Sequence, residues 1–167
     1  AVDLLVKCGA TRLGCLMPRN RTYSVSGRAD AFVAEAKARN LLCVEILASD
    51  QTYDDSRSSI ARFGRAELKS IDGLFCATDL MAIGALDGLR TDLGLNVPKD
   101  IQVLGYDDIE QADWVTYNLS TIRQNIEAQA EAVIRLLSDR LLDSSLPIRV
   151  HNQELTPVLR GTTRHDS

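Results

Sequence analysis

Residues 74–123 read LFCATDLMAIGALDGLRTDLGLNVPKDIQVLGYDDIEQADWVTYNLSTIR. Leu74-Phe75-Cys76-Ala77 is a short apolar run that stops at Thr78-Asp79, whose side-chain oxygens can accept from the free N–H groups opening a helix. Met81, Ala82, Ala85, Leu86 and Leu89 then recur at helical spacing until Gly94 supplies a stop. Pro98-Lys99-Asp100 turns the chain into Ile101-Gln102-Val103-Leu104-Gly105-Tyr106, a second apolar strand that ends at Asp107-Asp108. The stretch is one strand–helix–strand unit.

Two strands joined by a helical crossover run parallel, so their carboxyl ends share one edge of the sheet. Ligands of open parallel sheets sit in the crevice outside that edge, which places Thr78 and Asp107 where binding groups belong. A plainer reading stays open: Asp79 caps a helix, and Asp107 with Asp108 begins a turn.

Working upstream, residues 42–47 and 12–17 are further apolar strands, separated by a helix over 54–69 that Gly64 weakens and by an alanine-rich helix over 27–39. Residues 18–26 form a polar loop between strand and helix. Arg28 opens the 27–39 helix, where a cation opposes the helix dipole unless it has a partner elsewhere. On its own it reads as a solvated surface arginine. Residues 1–8 resemble the end of a helix stopped by Gly9. Four strands alternating with helices indicate an α/β fold, an open and mainly parallel sheet with helices on both faces.

Downstream, residues 109–124 lack a clean period and hold the single tryptophan, Trp114. Trp114 and Tyr117 can pack in a core or contact a ligand or partner. Residues 125–143 form an amphipathic helix with Ile126, Ala130, Val133, Ile134, Leu137 and Leu141 on one face. Residues 147–150 and 154–160 are expected to be extended, and 161–167 to fray.

The 167 residues are 45% hydrophobic and 25% charged with a net charge of −4, the profile of an ordinary globular domain and a poor one for a nucleic-acid-binding surface. No run is long and apolar enough for a bilayer, and no signal-peptide layout opens the sequence, so a cytoplasmic location is the expectation. Cys8, Cys15, Cys43 and Cys76 lack metal-binding spacing, and His151 and His165 are too few for a metal site, so neither metal nor cofactor is expected. Phosphate-binding glycine loops and nucleophile-elbow motifs are absent. The paired acids Asp54-Asp55 and Asp107-Asp108 do not amount to an acid/base dyad, because adjacency alone does not provide two different environments.

The blocks CATDLMAIGAL, GLNVPKDIQVLGYDD and LSTIRQ, in this order and approximate spacing, resemble the effector-binding core of LacI/GalR (lactose-repressor) family transcription regulators. The resemblance extends at lower density over residues 1–164. It implies a helix-turn-helix head followed by a two-lobed core with the fold of periplasmic sugar-binding proteins, this chain starting partway through that plan. The domains expected on that basis are residues 1–9 as the end of a preceding-lobe helix and 10–118 as the C-terminal lobe. Residues 119–146 would be a crossover with the amphipathic helix, 147–164 return strands, and 165–167 a tail.

The resemblance also assigns roles. Arg28, in a pattern where Ala31 replaces the usual glycine before Phe32, would grip a sugar- or nucleoside-like effector together with Asp107 and Thr78. Family members often carry asparagine at the position of Thr78, so a different effector or a weaker grip is implied. A homodimer surface would comprise Met81, Ala85, Leu86 and Leu89 with Trp114 and Tyr117, and DNA would be touched only through the absent head. The helix from Asn125 would lack its cover from the other lobe, and is expected to fold over the sheet edge or to pack on another copy. A free-standing periplasmic-type solute-binding protein is the alternative reading, and an enzyme on a doubly wound scaffold the third.

Overall fold

In a computed structural model, which describes residues 1–20 and 22–164, the alternation of apolar runs and helices becomes a four-stranded parallel sheet. The strands are β1 (Arg12–Pro18), β2 (Leu42–Ala48), β3 (Gly73–Cys76) and β4 (Gln102–Leu104), lying in the order β2-β1-β3-β4. The chain moves from β1 outward to β2, then returns to the opposite side of β1 for β3. That reversal opens a crevice at the carboxyl ends of β1 and β3, the switch point at which such sheets hold ligands.

Period-two alternation sends the side chains of β1 to two cores. Leu13, Cys15 and Met17 pack with Phe75 and Leu104 beneath α1 (Val2–Lys7) and α2 (Tyr23–Ala38). Leu16, Leu74, Cys76 and Val103 face the other way, onto α3 (Tyr53–Phe63), α4 (Arg65–Leu68) and α5 (Asp79–Asp87). Both faces of the sheet are therefore covered by helices. Helix α5 passes into a π-helical turn at Gly88–Asp92, while α3 ends at Gly64, whose φ of 88° breaks the expected single helix over 54–69 into two.

Where α3 and α5 cross, Gly84 is required by space: a Cβ there would collide with the Tyr53 carbonyl oxygen. Asp87 at the end of α5 accepts from the Tyr53 hydroxyl at 2.7 Å, pinning the same crossing.

Two further departures from the sequence reading concern the first two helices. Residues 1–9 were expected to belong to another lobe, yet Val2 and Leu5 are buried in the same core as Ala29, Phe32 and Ala36 of α2. Helix α2 starts at Tyr23, inside the stretch read as a polar loop, because its first turn carries polar residues that give no amphipathic signal.

Beyond a short 3-10 turn (Glu110–Asp113), β5 (Thr121–Gln124) pairs antiparallel with β6 (Leu155–Val158), and α6 (Ile126–Leu142) joins the two. Residues 147–150 form no strand. Strand β5 runs beside the extension of β4, with the Gly105 and Asp107 amides donating to Ser120 and Ile122 carbonyls. Helix α6 is capped by the Asn125 side chain, which accepts from the Ala128 amide at 3.0 Å. It does not fold over the sheet: Ala132 is its one buried residue, while Ile134 and Leu137 are more than 60% exposed. The tail expected at 165–167, including His165, lies outside the described residues. No helix among the described residues is long and apolar enough to cross a membrane.

Candidate ligand-binding site

The switch point is occupied by charge. Arg28, in the second turn of α2, reaches across the carboxyl ends of β1 and β3, and its Nη1 donates to the Ala77 carbonyl oxygen at 3.1 Å. The same nitrogen lies 3.1 Å from Asp107 Oδ1, and the guanidinium sits 4.0 Å from the centre of the Tyr106 ring. The sequence offered a solvated surface arginine; the structure provides it with three partners instead. Asp107 also accepts from Gln124 Nε2 at 2.8 Å, so β5 contributes to the same cluster.

Burial pushes the Asp107 carboxyl above its ordinary value, against the opposing pull of Arg28 and Gln124. Burial likewise raises the Tyr106 hydroxyl, with the Arg28 charge opposing. In this half-buried ion pair each partner retains unused hydrogen-bonding capacity. Beside it opens a pocket of about 420 Å³ lined by Arg28, Ala31, Phe32, Phe75, Tyr106 and Ile122, with further walls from α1 and Leu155. Phe32 and Phe75 stack at 4.7 Å between ring centroids, giving that pocket an apolar floor.

Thr78 stands at the same edge, one residue beyond the carbonyl that Arg28 holds, but its Oγ1 is engaged: it accepts from the Met81 amide at 3.3 Å and caps α5. The structure thus joins Arg28 directly to Asp107 and places Thr78 as their neighbour through Ala77.

Sequence reasoning had no signal for Tyr106 or Gln124, and read Asp79 as a cap alone. Asp79 is fully buried, accepting from Thr121 Oγ1 at 2.6 Å and from the Ile109 amide at 3.0 Å. Gly105 passes directly over it, where any Cβ would strike Oδ1. Burial raises the Asp79 carboxyl, its hydrogen bonds opposing.

The turn that carries Asp107 is unusual. Asp107 has φ 125° and Asp108 φ 59°, two successive non-glycine residues in the left-handed half of backbone space, each costing on the order of 1–3 kcal/mol. Asp108 faces away from Arg28 and pairs with Arg160 Nη1 at 2.8 Å and Arg123 Nε at 2.5 Å. Burial raises its carboxyl, but the two arginines outweigh that and hold it below the ordinary value.

The residues assigned to a dimer surface divide. Met81, Ala85, Leu86 and Leu89 are fully buried against α3 and the sheet, so they offer nothing to a second chain. Trp114 is half exposed and stacks on Tyr117, which itself packs on the core. Val115, next to Trp114 in sequence, is 97% exposed, and Leu80 on α5 is also exposed.

A family model for the periplasmic binding protein-like domain matches residues 2–163. The transcriptional regulator MalR of Streptomyces coelicolor is 30% identical over 170 residues, covering 98% of this chain and 48% of MalR. The repressor PurR of Vibrio vulnificus is 27% identical over 98% of this chain and 49% of its own length. The chain spans about half the length of the curated relatives it matches. Among solved structures, a LacI family regulator from Arthrobacter sp. FB24 in complex with lactose aligns over 97% of this chain and 60% of that one, with TM-score 0.79 and 25% identity. The lac repressor dimer bound to operator and an anti-inducer shares the fold, with TM-score 0.83 at 23% identity over 98% of this chain and 56% of that one. With its sheet order and a family model matched along nearly its whole length, this chain belongs to the periplasmic binding protein-like family.

Proposed function

We propose that this chain is the sensing half of a LacI-type transcription regulator and that its effector is a small polyhydroxylated molecule, sugar- or nucleoside-like. The observation that carries this is the Arg28–Asp107 pair at the switch point, flanked by Tyr106 and an apolar pocket. A planar five-donor cation beside a carboxylate acceptor suits a ring with vicinal hydroxyls, and the aromatic floor suits its apolar face. The solved relative bound to lactose and another bound to cellobiose support that ligand class.

Binding, not turnover, is the chemistry of the site. Thr78 contributes a third polar group, its O–H still able to donate. Effector occupancy changes the balance between arrangements of the protein only in so far as it binds one of them better, which is how a sensor acts on distant DNA-binding heads. Operator contact belongs to the part of the relatives that this chain does not span, and a cytoplasmic location follows from that role. A homodimer forms through the exposed segment of Trp114, Val115 and Tyr117.

The test is a thermal-shift screen of the chain against mono- and disaccharides and nucleosides, repeated with Arg28→Ala and Asp107→Ala. A stabilising compound whose effect is lost in both variants supports the reading. A compound that stabilises all three proteins equally places the site elsewhere, and consumption of a bound compound assigns the chain to an enzyme.

A further inference from the structure

We infer that Asp108 is the positioning residue of this site: held by Arg160 and Arg123, its carboxylate fixes the left-handed turn that aims Asp107 at Arg28. The inference rests on the reading of Arg28 and Asp107 as ligand groups, and deepens it.

Two successive aspartates at φ 125° and 59° do not hold themselves there; a conformation so sparsely populated persists only when its surroundings over-determine it. Asp107 is tied by its amide to the Ile122 carbonyl and by its side chain to Arg28 and Gln124, and on the opposite side of the turn Asp108 carries two ion pairs of its own. Its side chain is 7% exposed and that of Arg160 12%, so the 2.8 Å pair between them is little screened by water. Arg160 is itself immobilised, donating also to the Leu119 carbonyl at 2.9 Å and to Asp113 at 3.0 Å. Its own amide donates to Ser120 Oγ at 2.8 Å. The second carboxylate oxygen of Asp108 takes Arg123 Nε at 2.5 Å.

The three anchored segments are distinct parts of the fold: the turn after β4, the strand β5, and the stretch that follows β6. A displacement of β5 or of the Arg160 segment along β4 therefore pulls Asp108, and through one peptide unit it turns Asp107. Asp107 is held on its other side by Gln124 of the same β5 strand, so both carboxylates report the position of that strand. Movement of the β5–β6 pair and grip on a ligand are linked through this dyad.

The test needs no ligand. The coupling between Arg28 and Asp107 is measured by a double-mutant cycle in chemical denaturation, using Arg28→Met, Asp107→Asn and the pair, and the cycle is repeated in an Asp108→Asn background. Asparagine keeps the shape of Asp108 and tolerates left-handed backbone while removing the charge. The expected result is a measurable coupling in the parent protein that is lost in the Asp108→Asn background. An unchanged coupling, with overall stability lowered, makes Asp108 a merely structural residue and overturns the inference. Should Asp108→Asn fail to fold, Arg123→Met removes the more exposed of the two arginine partners. Reduced coupling there supports the inference, and unchanged coupling overturns it. Failure of the ligand-site reading shows up separately, as ligand binding indifferent to Asp107.

Discussion

Thr121 donates its hydroxyl hydrogen to Asp79 Oδ1 across 2.6 Å, with both residues fully buried. The bond ties the first residue of α5 to the first residue of β5, and the Ile109 amide on the other oxygen adds the turn between them. Asparagine at position 79 keeps one acceptor: its NH2 either faces the Ile109 amide, donor against donor, or reverses the bond to Thr121 and takes away the acceptor of that hydroxyl hydrogen. Asp79→Asn is therefore expected to cost about 1–3 kcal/mol, the penalty for a buried polar group left unpaired, read from the midpoint of urea unfolding.

The same carboxyl gives a pH dependence with a definite sign. Burial raises Asp79 and Asp107 above the ordinary 3.8, so the folded protein takes up protons at a pH where the unfolded chain is still ionised. Stability contributed by these groups rises as pH falls through the raised values, and levels off below 3.8. Asp72 and Asp108 are held below 3.8 and lose stability only at more acid pH. Melting temperature is expected to increase from neutral toward mildly acid solution, less so in Asp79→Asn.

Gly84→Ala tests the α3–α5 crossing. An alanine gains about 1 kcal/mol of helix propensity. Its methyl meets the Tyr53 carbonyl oxygen and Ser56 Cβ, of which the backbone oxygen cannot yield unless the helices separate. A net loss of about 1–3 kcal/mol is expected by denaturation, and a gain in stability would show that the crossing is loose.

The proposed partner surface separates from the core by its response to substitution. Leu86→Ala, in a fully buried position, is expected to cost about 2–5 kcal/mol. Val115→Asp, at 97% exposure, is expected to leave monomer stability within about 0.5 kcal/mol while shifting sedimentation toward monomer. Unaltered sedimentation in Val115→Asp moves the interface elsewhere.

Much of this arrangement was legible in the residues themselves. The four parallel strands stand within one or two residues of the apolar runs: β1, β3 and β4 are buried and so mainly apolar along their length, while the edge strand β2 is only partly covered. The placement of Thr78 and Asp107 at one edge followed from parallel topology, whereas Arg28 read on its own as a surface arginine and joined them only through the family resemblance. Partners far apart in sequence were not legible. Arg160 meets Asp108 52 residues away, and Thr121 meets Asp79 at a separation of 42; no local pattern marks either. The helical face of Met81, Ala85 and Leu89 was visible as apolar, but periodicity does not say whether an apolar face meets its own sheet or another chain, and α5 is enclosed on nearly every side.

The hydroxyl of Thr78 serves two masters. One lone pair of Oγ1 already belongs to the Met81 amide. Any heritable change at this position that retunes which molecule is recognised also alters how firmly the following helix begins. On the proposed role of Thr78, a change of ligand is therefore channelled into the few side chains, serine, asparagine and aspartate among them, that can cap a helix while still offering a polar group.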